Sequence, residues 1–374
     1  MIGTPKRVLH VVGRMNRGGI ETWLMHVLRS LDPGRLRIDF LVQTDEAADY
    51  DLEIAAYGAR LLRCGVSWRS PAYGPAVTSL LHRFGPFDAV HSHVHHFSGF
   101  LLRIAHRVGV PLRIAHSHSD TSRQDVAASW PRRRYLGLAK AWIRRHATHW
   151  LAASQAAGSA LFGAPWGADR RSQVLHCGIN LQSFRRRQTR ELARERLRIA
   201  GDELVIGHVG RFDAPKNHPF LIEIAAEAAR RMPRVRLLLV GDGPGRPEIE
   251  RQADALGLGL RTIFLGSRAD VPDLLPAMDV FVFPSLWEGL PLTVVEAQAA
   301  GLPCLISDVI SPETIVVPDL VQRIQTAAGP SAWAEKLIAA VHEGGDQVAA
   351  LDRLEKTDFN IERCLETLYA LYGV

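Results

Sequence analysis

Short apolar runs alternate with amphipathic stretches along the first half of the chain. Strand-like runs occur at Arg7–Val12, Arg37–Val42, Ala89–His93 and Leu112–His116. Helix-like stretches lie between them, at Ile20–Ser30 and near Asp51–Tyr57. Short apolar runs bounded by polar residues or glycine are typical of strands buried in a parallel sheet. The alternation therefore predicts a parallel sheet covered by helices.

The second half repeats this pattern without detectable sequence repetition. Its strand-like runs are Leu204–Val209, Arg236–Val240, Thr262–Leu265, Val280–Pro284 and Cys304–Ser307, and its helix-like stretches are Pro219–Arg231, Glu248–Leu256 and Leu292–Ala300. We predict two α/β domains, residues 1–181 and 182–359, with a boundary near Gly178–Phe184. A further helix-like segment lies at about 360–374. Two doubly wound domains facing a cleft would bind ligands at the carboxyl ends of their strands.

Length and composition fit a soluble protein of two domains. The chain has 374 residues, 47% of them hydrophobic and 22% charged. Its cysteines are scattered and form no C-x-x-C pair, which argues against a zinc ribbon and suits a reducing compartment. The apolar run near the start, VLHVVG, is too short for the core of a signal peptide, and no run of about 18 apolar residues occurs. We therefore expect a cytoplasmic protein.

Positive charge is concentrated in the first half. Residues 1–180 contain 23 Lys and Arg against 12 Asp and Glu, whereas the remaining residues contain 22 against 27. This asymmetry indicates that the first half meets an anionic surface or substrate. An Arg-rich genome would give the same bias, so the alternative stays open.

Two glutamates lie in the segment PSLWEGLPLTVVEAQAAGLP. Glu288 is predicted in the loop at the carboxyl end of a strand, and Glu296 about one turn inside the next helix. That helix is predicted to begin near Pro291 or Leu292, with the Leu292 and Thr293 amides directed at a phosphate. A spacing of eight residues favours separate roles on one extended ligand. The alternative is a surface glutamate and a second one favoured by the helix dipole.

Two further loops follow predicted strands and contain groups suited to anions. Arg211 and Lys216 are five residues apart in GHVGRFDAPKNH, a spacing that suits a diphosphate, although solvated loop charges are the alternative. Gly18 and Gly19 precede a helix, where backbone amides can approach an anion closely. A tight turn would need the same glycines.

Histidines cluster after two predicted strands, in HSHVHH (residues 91–96) and HSHSD (residues 116–120). His91, His93 and His95 alternate, so on a strand they would share one face and could bind zinc. No cysteine or carboxylate at a fixed spacing completes such a site, and we predict no metal. Hydrogen bonding to hydroxyl-rich ligands is favoured, and structural histidines with partners inside the protein are the alternative.

A basic stretch with aromatic residues, Trp130–Trp150, lies in the first domain. Its basic residues mix with tryptophan and tyrosine and predict a basic amphipathic helix, which suits an anionic membrane interface or a lipid-linked diphosphate. A solvated helix whose tryptophans pack inward is the alternative. No nucleic-acid-reading module is visible, so we do not expect a nucleic-acid partner.

In combination, these motifs resemble the fourth family of retaining glycosyltransferases, group 1, which have the GT-B fold of two Rossmann-like domains. The resemblance rests on Glu288 and Glu296 with seven residues between them, Arg211 with Lys216, the early Gly18-Gly19, the sequence GDG at Gly241–Gly243, and HCGIN before Phe184. The last string is similar to the family's interdomain signature, Asn-Gly-Ile-Asp before Phe. Here Asn180 stands where the family usually has Asp.

The resemblance implies roles in the second domain. Arg211 and Lys216 would hold the diphosphate of a nucleotide-sugar donor, Glu288 would contact hydroxyls of the transferred sugar, and Glu296 would bind the ribose hydroxyls. The remaining donor-binding positions would be Gly241, Ser267, Arg268, Leu292 and Thr293, with the backbone near Ser267–Ala269 meeting the base.

The resemblance also implies roles in the first domain. Gly18 and Gly19 would approach the distal phosphate, and either His116 or His118 would be the family's catalytic histidine. The doubled motif leaves the register open, with His118 preferred. The last helix would pack on the first domain.

The implied reaction is metal-independent sugar transfer with retention of configuration, in the synthesis of a cell-surface polysaccharide or glycolipid. It requires no cofactor. The expected donor is a UDP-sugar, with a GDP-sugar as the alternative. The expected acceptor is a saccharide or a lipid-linked compound, and binding to the inner face of the cell membrane stays open. A nucleotide-sugar 2-epimerase and a non-catalytic nucleotide-sugar-binding protein are the rival functions.

Overall fold

Two α/β units make up the chain. The computed structural model describes residues 4–185, 188–343 and 345–374. One unit comprises Met1–Gly178 with Ile361–Val374, and the other comprises Ile179–Asn360. The longer segment of the first unit ends at Gly178.

The sheet of the first unit has seven strands. They are β1 Lys6–Val12, β2 Leu36–Val42, β3 Leu61–Arg63, β4 Ala89–Ser92, β5 Leu112–Ser117, β6 His149–Ala152 and β7 Ser172–Val174. All neighbours are parallel, in the order β3-β2-β1-β4-β5-β6-β7. The order reverses beside β1, and His10 of β1 lies opposite His91 of β4 in the register.

The first seven helices connect these strands. They are α1 Gly19–Ser30, α2 Asp51–Ala56, α3 Tyr73–Phe84, α4 Ser98–Arg107, α5 Ser122–Val126, α6 Trp130–His146 and α7 Gln155–Phe162. Their apolar stripes cover the sheet: α1 buries Trp23, Leu24 and Leu28, and α4 buries Leu101 and Leu102.

The sheet of the second unit has six strands. They are β8 Leu204–Val209, β9 Val235–Val240, β10 Thr262–Phe264, β11 Val280–Phe283, β12 Cys304–Ser307 and β13 Val321–Ile324. All neighbours are parallel, in the order β10-β9-β8-β11-β12-β13, which is the strand order of a Rossmann fold. The order reverses between β8 and β11, so the loops after these two strands flank a topological switch point.

Eight helices belong to the second unit. They are α8 Gln182–Arg185, α9 Arg190–Leu197, α10 His218–Arg231, α11 Arg246–Ala255, α12 Val271–Leu274, α13 Leu292–Ala299, α14 Gly329–Glu343 and α15 Gln347–Glu355. Helix α10 packs against α14, and its face with Leu221, Ile222 and Ile224 is buried in the core of the unit.

The last helix, α16 Ile361–Tyr372, belongs to the first unit and packs against α1. Its Tyr369 hydroxyl accepts a hydrogen bond from the Asp32 amide at 2.7 Å. Gly178 lies where the chain crosses the start of α16, since a Cβ at this position would approach Ile361 Cα to 2.8 Å. The glycine of HCGIN is therefore required by a close backbone approach.

The predicted fold class is confirmed, with two parallel sheets and helices between successive strands. Four strands were not predicted: β3, β6, β7 and β13. All four have only three or four residues, which is short for recognition from a sequence pattern. In addition, β7 and β13 are not buried throughout, so the sequences of these two strands lack a continuous apolar run.

Membrane-spanning potential was assessed for the helices of the described residues. None of these helices combines enough length with enough apolar character to cross a bilayer.

Candidate active site

The switch point of the second unit brings together a lysine and a glutamate from different loops. Lys216 lies in the loop after β8, and its Nζ is 2.6 Å from Oε1 of Glu288, in the loop after β11. Both side chains are largely buried, and the ammonium also lies 4.8 Å from the centre of the Phe283 ring. The ion pair thus lies where ligands bind in doubly wound sheets.

Two hydrogen bonds, one of them from a side chain, fix these two loops to each other. The Leu286 amide donates to the Pro215 carbonyl at 2.8 Å, and Nδ2 of Asn217 donates to the Pro284 carbonyl at 3.1 Å. Asn217 has a φ of 55°, a left-handed conformation that asparagine tolerates better than most residues. Sequence analysis missed this residue, although Asn between Lys216 and a helix was a usable turn signal.

Arg211 differs from Lys216 in its surroundings. Its side chain is 69% exposed, and its Nε lies 4.0 Å from Oδ2 of Asp213. A guanidinium held this loosely can reorient toward a ligand at little cost. The two predicted cations thus lie on one loop, but only Lys216 is held by a close partner.

Gly241 follows β9, and its conformation excludes any other residue. Its φ is 136°, and a Cβ here would lie 2.0 Å from the carbonyl oxygen of Gly210. Gly243 has the same constraint, since its Cβ would lie 2.6 Å from the Phe212 carbonyl. The GDG sequence therefore lets the loop after β9 lie directly against the backbone on either side of Arg211.

Glu296 is buried inside α13, and none of the described residues donates a hydrogen bond to its carboxylate. Burial raises its pKa from 4.5 to about 7. A buried carboxyl group with no protein donor has acceptor capacity left for hydroxyl groups of a ligand.

The start of α13 differs slightly from the prediction. Pro291 precedes the helix as its cap (φ −73°, ψ 104°) and is not the first helical residue. Among the described residues, no side chain caps this end. The Val294 amide donates to the Pro291 carbonyl, and the amides of Leu292 and Thr293 precede it in the first turn. Such amides are suited to an anion.

Ser267 and Arg268 follow β10 on the exposed surface. The Gly241 amide donates to the carbonyl of Gly266, so this loop adjoins the loop after β9. The Arg268 guanidinium makes two hydrogen bonds to Asp270, at 2.8 and 2.6 Å. Its side chain is therefore already engaged, which leaves the exposed backbone for recognition.

In the first unit, Gly18 caps α1 and Gly19 is its first residue. A Cβ at Gly19 would meet nothing within 4 Å, whereas a Cβ at Gly18 would lie 2.4 Å from Oε2 of Glu21. The turn therefore has open space at Gly19. The carboxylate of Glu21 lies beside it and would oppose an anion at Gly18.

Five histidines of the first unit, four of them buried and His118 half-buried, form two hydrogen-bonded chains whose rings pack on each other. Together we call them the histidine network: His10, His91, His93, His116 and His118. His93 bonds His10 at 2.9 Å and His118 at 2.9 Å, and His91 bonds His116 at 3.1 Å and the Tyr372 hydroxyl at 2.7 Å. Trp23 packs edge-on against two of the rings. His10 and Tyr372 were missed by sequence analysis, because only the fold brings them to the two motifs.

Burial keeps these rings neutral. It lowers the pKa of His10 and of His118 to about 3, and it lowers the pKa of His91, His93 and His116 well below 6.5. Each neutral ring has one N–H and one lone pair, so one series of donors can run from His10 through His93 to His118. With this direction, the proton of His10 is on Nδ1, and Nε2 carries the lone pair. Nε2 has no hydrogen-bond partner, so the arrangement avoids a buried N–H without an acceptor.

The two candidate site histidines are not equivalent. His116 is fully buried, with Nδ1 bonded to His91. His118 is partly exposed, with Nε2 bonded to His93 and Nδ1 3.7 Å from Sγ of Cys177. Of these two residues, only His118 is partly exposed, which favours it over His116.

The predicted shared face of His91, His93 and His95 is wrong. Strand β4 ends at Ser92, and His95 (φ 50°) lies in a 3-10 turn where its ring bonds His96. Two other triads, His10–His91–His93 and His93–His116–His118, have nitrogens within 4.8 Å of one another and could hold a metal ion. Neutral hydrogen-bonded rings already account for the closest contacts, at 2.9–3.1 Å.

The basic aromatic stretch is divided between a helix and a strand. Helix α6 contains Trp130, which is 68% exposed, and ends at His146. Trp150 belongs to β6 and is fully buried, stacked on Phe162 at 5.2 Å. The prediction of one continuous amphipathic element over Trp130–Trp150 is therefore wrong at its end.

Two family models match successive parts of the chain. The family model described as "Glycosyl transferase 4-like domain" matches residues 18–178, and the model "Glycosyl transferases group 1" matches residues 189–356. EpsF of Bacillus subtilis, a protein named as a glycosyltransferase, is 38% identical over 92% of this chain and 90% of its own. The chain therefore belongs to the group 1 glycosyl transferases.

Two further relatives extend the comparison. An Escherichia coli protein named UDP-Gal:alpha-D-GlcNAc-diphosphoundecaprenol alpha-1,3-galactosyltransferase is 36% identical over 36% of each chain. The structure of HepE from Anabaena, solved with UDP and glucose, superposes with a TM-score of 0.79 at 19% identity, over 98% of this chain and 99% of HepE. This likeness shows the GT-B fold.

Proposed function

We propose that this glycosyltransferase moves a hexose from a UDP-sugar to a lipid-linked or saccharide acceptor, with retention of anomeric configuration. The observation that carries the proposal is the Lys216–Glu288 pair at the switch point of the second unit. It combines a cation for the diphosphate with a carboxylate for sugar hydroxyls. The product would be a cell-surface polysaccharide or glycolipid.

The second unit, Ile179–Asn360, is proposed to bind the donor. Arg211 and Lys216 would hold the diphosphate together with the Leu292 and Thr293 amides, and buried Glu296 would accept hydrogen bonds from ribose hydroxyls. The exposed backbone at Ser267 would meet the base. The name of the Escherichia coli relative includes UDP-Gal, and HepE was solved with UDP, which supports UDP over GDP.

The proposed reaction is a front-face substitution. An acceptor hydroxyl attacks the anomeric carbon, the bond from that carbon to the diphosphate oxygen breaks, and the hydroxyl proton passes to the departing diphosphate. Arg211 and Lys216 would stabilise the charge that develops on the leaving group without a metal ion. Glu288 is paired with Lys216 and Glu296 lies within α13, which suits binding roles better than nucleophilic attack.

The first unit is proposed to bind the acceptor, with His118 as its site histidine and Gly19 offering open backbone. A lipid-diphosphate acceptor is supported by the name of the Escherichia coli relative. It is supported also by α6, where Trp130, Tyr135 and Leu138 are exposed among arginines. We infer action at the cytoplasmic face of the membrane.

A ligand panel tests the donor assignment. Wild-type protein is heated with UDP-glucose, GDP-glucose or ADP-glucose at equal concentration. Binding to the native state raises the melting temperature by mass action, so UDP-glucose should give the largest increase. Glu296→Ala should remove most of this increase. An equal response to all three, or an unchanged response in the variant, would contradict the proposal.

A further inference from the structure

Helices α4 and α6 pack unusually closely because α4 contains a glycine at the contact. A Cβ at Gly99 would lie 2.5 Å from the Ala139 carbonyl and 3.1 Å from Cβ of Trp142. No other side chain fits without separating the helices. Helix α4 follows β4 and α6 comes after β5, its parallel neighbour, so both helices begin at the same edge of the sheet. The contact therefore also brings their carboxyl ends together.

A cavity of about 630 Å³ lies at these carboxyl ends. Apart from one tryptophan, its lining consists of arginine and histidine. The lining residues are Arg103, His106, Arg107, Trp142, Arg145 and His146. Its volume is in the range of small-ligand sites. The Arg103 guanidinium lies 4.9 Å from the centre of the Trp142 ring, which fixes one wall.

The three arginines of this cavity have no counter-charge among the described residues. None of the guanidinium groups of Arg103, Arg107 and Arg145 forms an ion pair or a hydrogen bond within that part of the chain. By contrast, Arg63 and Arg171 of the same unit are paired with aspartates. Three like charges around one cavity repel one another, and an anion would relieve that repulsion.

Stabilisation of helix ends does not account for this cluster. Arginines are favoured at helix carboxyl ends, but the last carbonyls of α6 already have other partners. Arg113 donates to the His146 carbonyl at 2.7 Å, and Arg171 donates to the Arg144 carbonyl at 2.8 Å. The carboxyl ends of the two helices together contribute a partial charge of about −1 elementary charge. The three guanidinium groups each carry a full positive charge, so the cavity stays strongly positive.

We propose that this cavity binds a phosphate or diphosphate group. Guanidinium groups form paired hydrogen bonds to phosphate oxygens, and Trp142 offers a flat face for the rest of the ligand. The positive field is also felt by buried His146, whose pKa is lowered by burial and by the neighbouring His106 and arginines. The phosphate would belong to a lipid headgroup or to a soluble compound.

The site is distinct from the candidate active site of the first unit. Arg113, whose guanidinium contacts the end of α6, is the second residue of β5, whereas His118 follows the other end of that strand. Five residues of strand separate the two positions by about 16 Å. The site therefore goes beyond the proposed donor and acceptor functions.

Calorimetry with inorganic diphosphate tests the site. The triple variant Arg103→Gln, Arg107→Gln, Arg145→Gln is compared with Arg69→Gln, Arg83→Gln, Arg170→Gln, which removes the same charge from exposed positions of the first unit outside α4 and α6. We expect the first variant to weaken binding at least about tenfold and the second less than about twofold. Matching melting curves show that both are folded. Equal weakening in both variants, or none in the first, would overturn the proposal.

The donor half-site would also bind diphosphate, so Lys216→Ala is titrated in parallel. Two sites are expected in the wild type, and each variant should remove a different one, which separates failure of this proposal from failure of the proposed function. Co-sedimentation with phosphatidylcholine vesicles, with and without phosphatidic acid, identifies the source. If the protein binds vesicles with phosphatidic acid, and only the cavity variant loses this binding, then the ligand is a lipid headgroup. Binding of diphosphate without vesicle binding assigns a soluble ligand.

Discussion

At the scale of single residues, the Lys216–Glu288 pair is the feature that most directly links sequence to chemistry. The motif spacing predicted both residues, because each follows a strand of the second sheet. The ion pair itself could not be predicted, since it depends on β8 and β11 being neighbours in the sheet although Lys216 and Glu288 are 72 residues apart in sequence. The topology of the sheet, and not local sequence, creates the contact.

Replacing Lys216 by alanine should lower kcat/KM for the donor at least about 100-fold, since a positioned cation on a leaving group contributes on this scale. Steady-state kinetics with the best donor measures this loss. Lys336→Ala, at an exposed position of the same unit, serves as the control and should keep wild-type kinetics. Full activity of Lys216→Ala would refute the diphosphate role.

Glu296 predicts a pH dependence of donor binding. Its pKa of about 7 means that the carboxylate needed to accept ribose hydroxyls forms only as pH rises through 7. UDP-glucose binding should therefore tighten about tenfold between pH 6 and pH 8, since the esterified diphosphate does not titrate there. Calorimetry measures the affinity, and Glu296→Gln should make it independent of pH. Weaker wild-type binding at pH 8 would contradict the ribose role.

The same pKa has an opposite consequence for folding. A carboxyl group whose pKa rises from 4.5 to about 7 on folding stabilises the native state most below pH 4.5, and this contribution is lost as pH rises through 7. Without ligand, Glu296 thus lowers the stability of the native state at neutral pH. Function and stability make opposing demands on one side chain.

At the scale of elements, the strands next to the candidate site were predicted to within one residue, because they are buried on both faces and have continuous apolar sequences. Conformations set by long-range contacts could not be predicted. The turn at His95 removed that residue from the predicted histidine face, and the close approach at Gly178 requires α16.

The loop after β9 provides an element-scale prediction. Gly241→Ala should lower the free energy of unfolding by about 2 kcal/mol or more, because φ is 136° and the new Cβ would collide with the Gly210 carbonyl. Urea denaturation measures the change. Gly201→Ala, where a Cβ meets nothing within 4 Å, should change it by less than about 1 kcal/mol. Equal effects of the two variants would show that the loop at Gly241 accommodates a Cβ without lowering the free energy of unfolding.

At the scale of the whole molecule, the two parallel sheets were predicted from the sequence, whereas their strand order and the histidine network were not. It draws one ring from β1, further rings from the segments beginning in β4 and β5, and a hydroxyl from α16, the last helix of the chain. The sequence shows clustered histidines but not which of them meet.

The histidine network predicts lability in acid. Each of its rings has a pKa below that of the unfolded chain, so the folded state binds fewer protons and loses stability as pH falls below about 6.5. The cost per ring at pH 5.5 is about 1.4 kcal/mol. Urea denaturation at pH 7.5 and 5.5 should show a loss of several kcal/mol. Unchanged stability would mean that the rings are not buried and neutral.

The central claim is that the chain is an acceptor-dependent transferase. The most direct measurement incubates it with a UDP-hexose, with and without a lipid-linked diphosphate sugar, and follows released UDP and the glycolipid product. We predict rapid UDP release only with acceptor, and a product whose new linkage keeps the anomeric configuration of the donor. Conversion of the UDP-sugar to an epimer without acceptor, or binding without any turnover, would contradict the account.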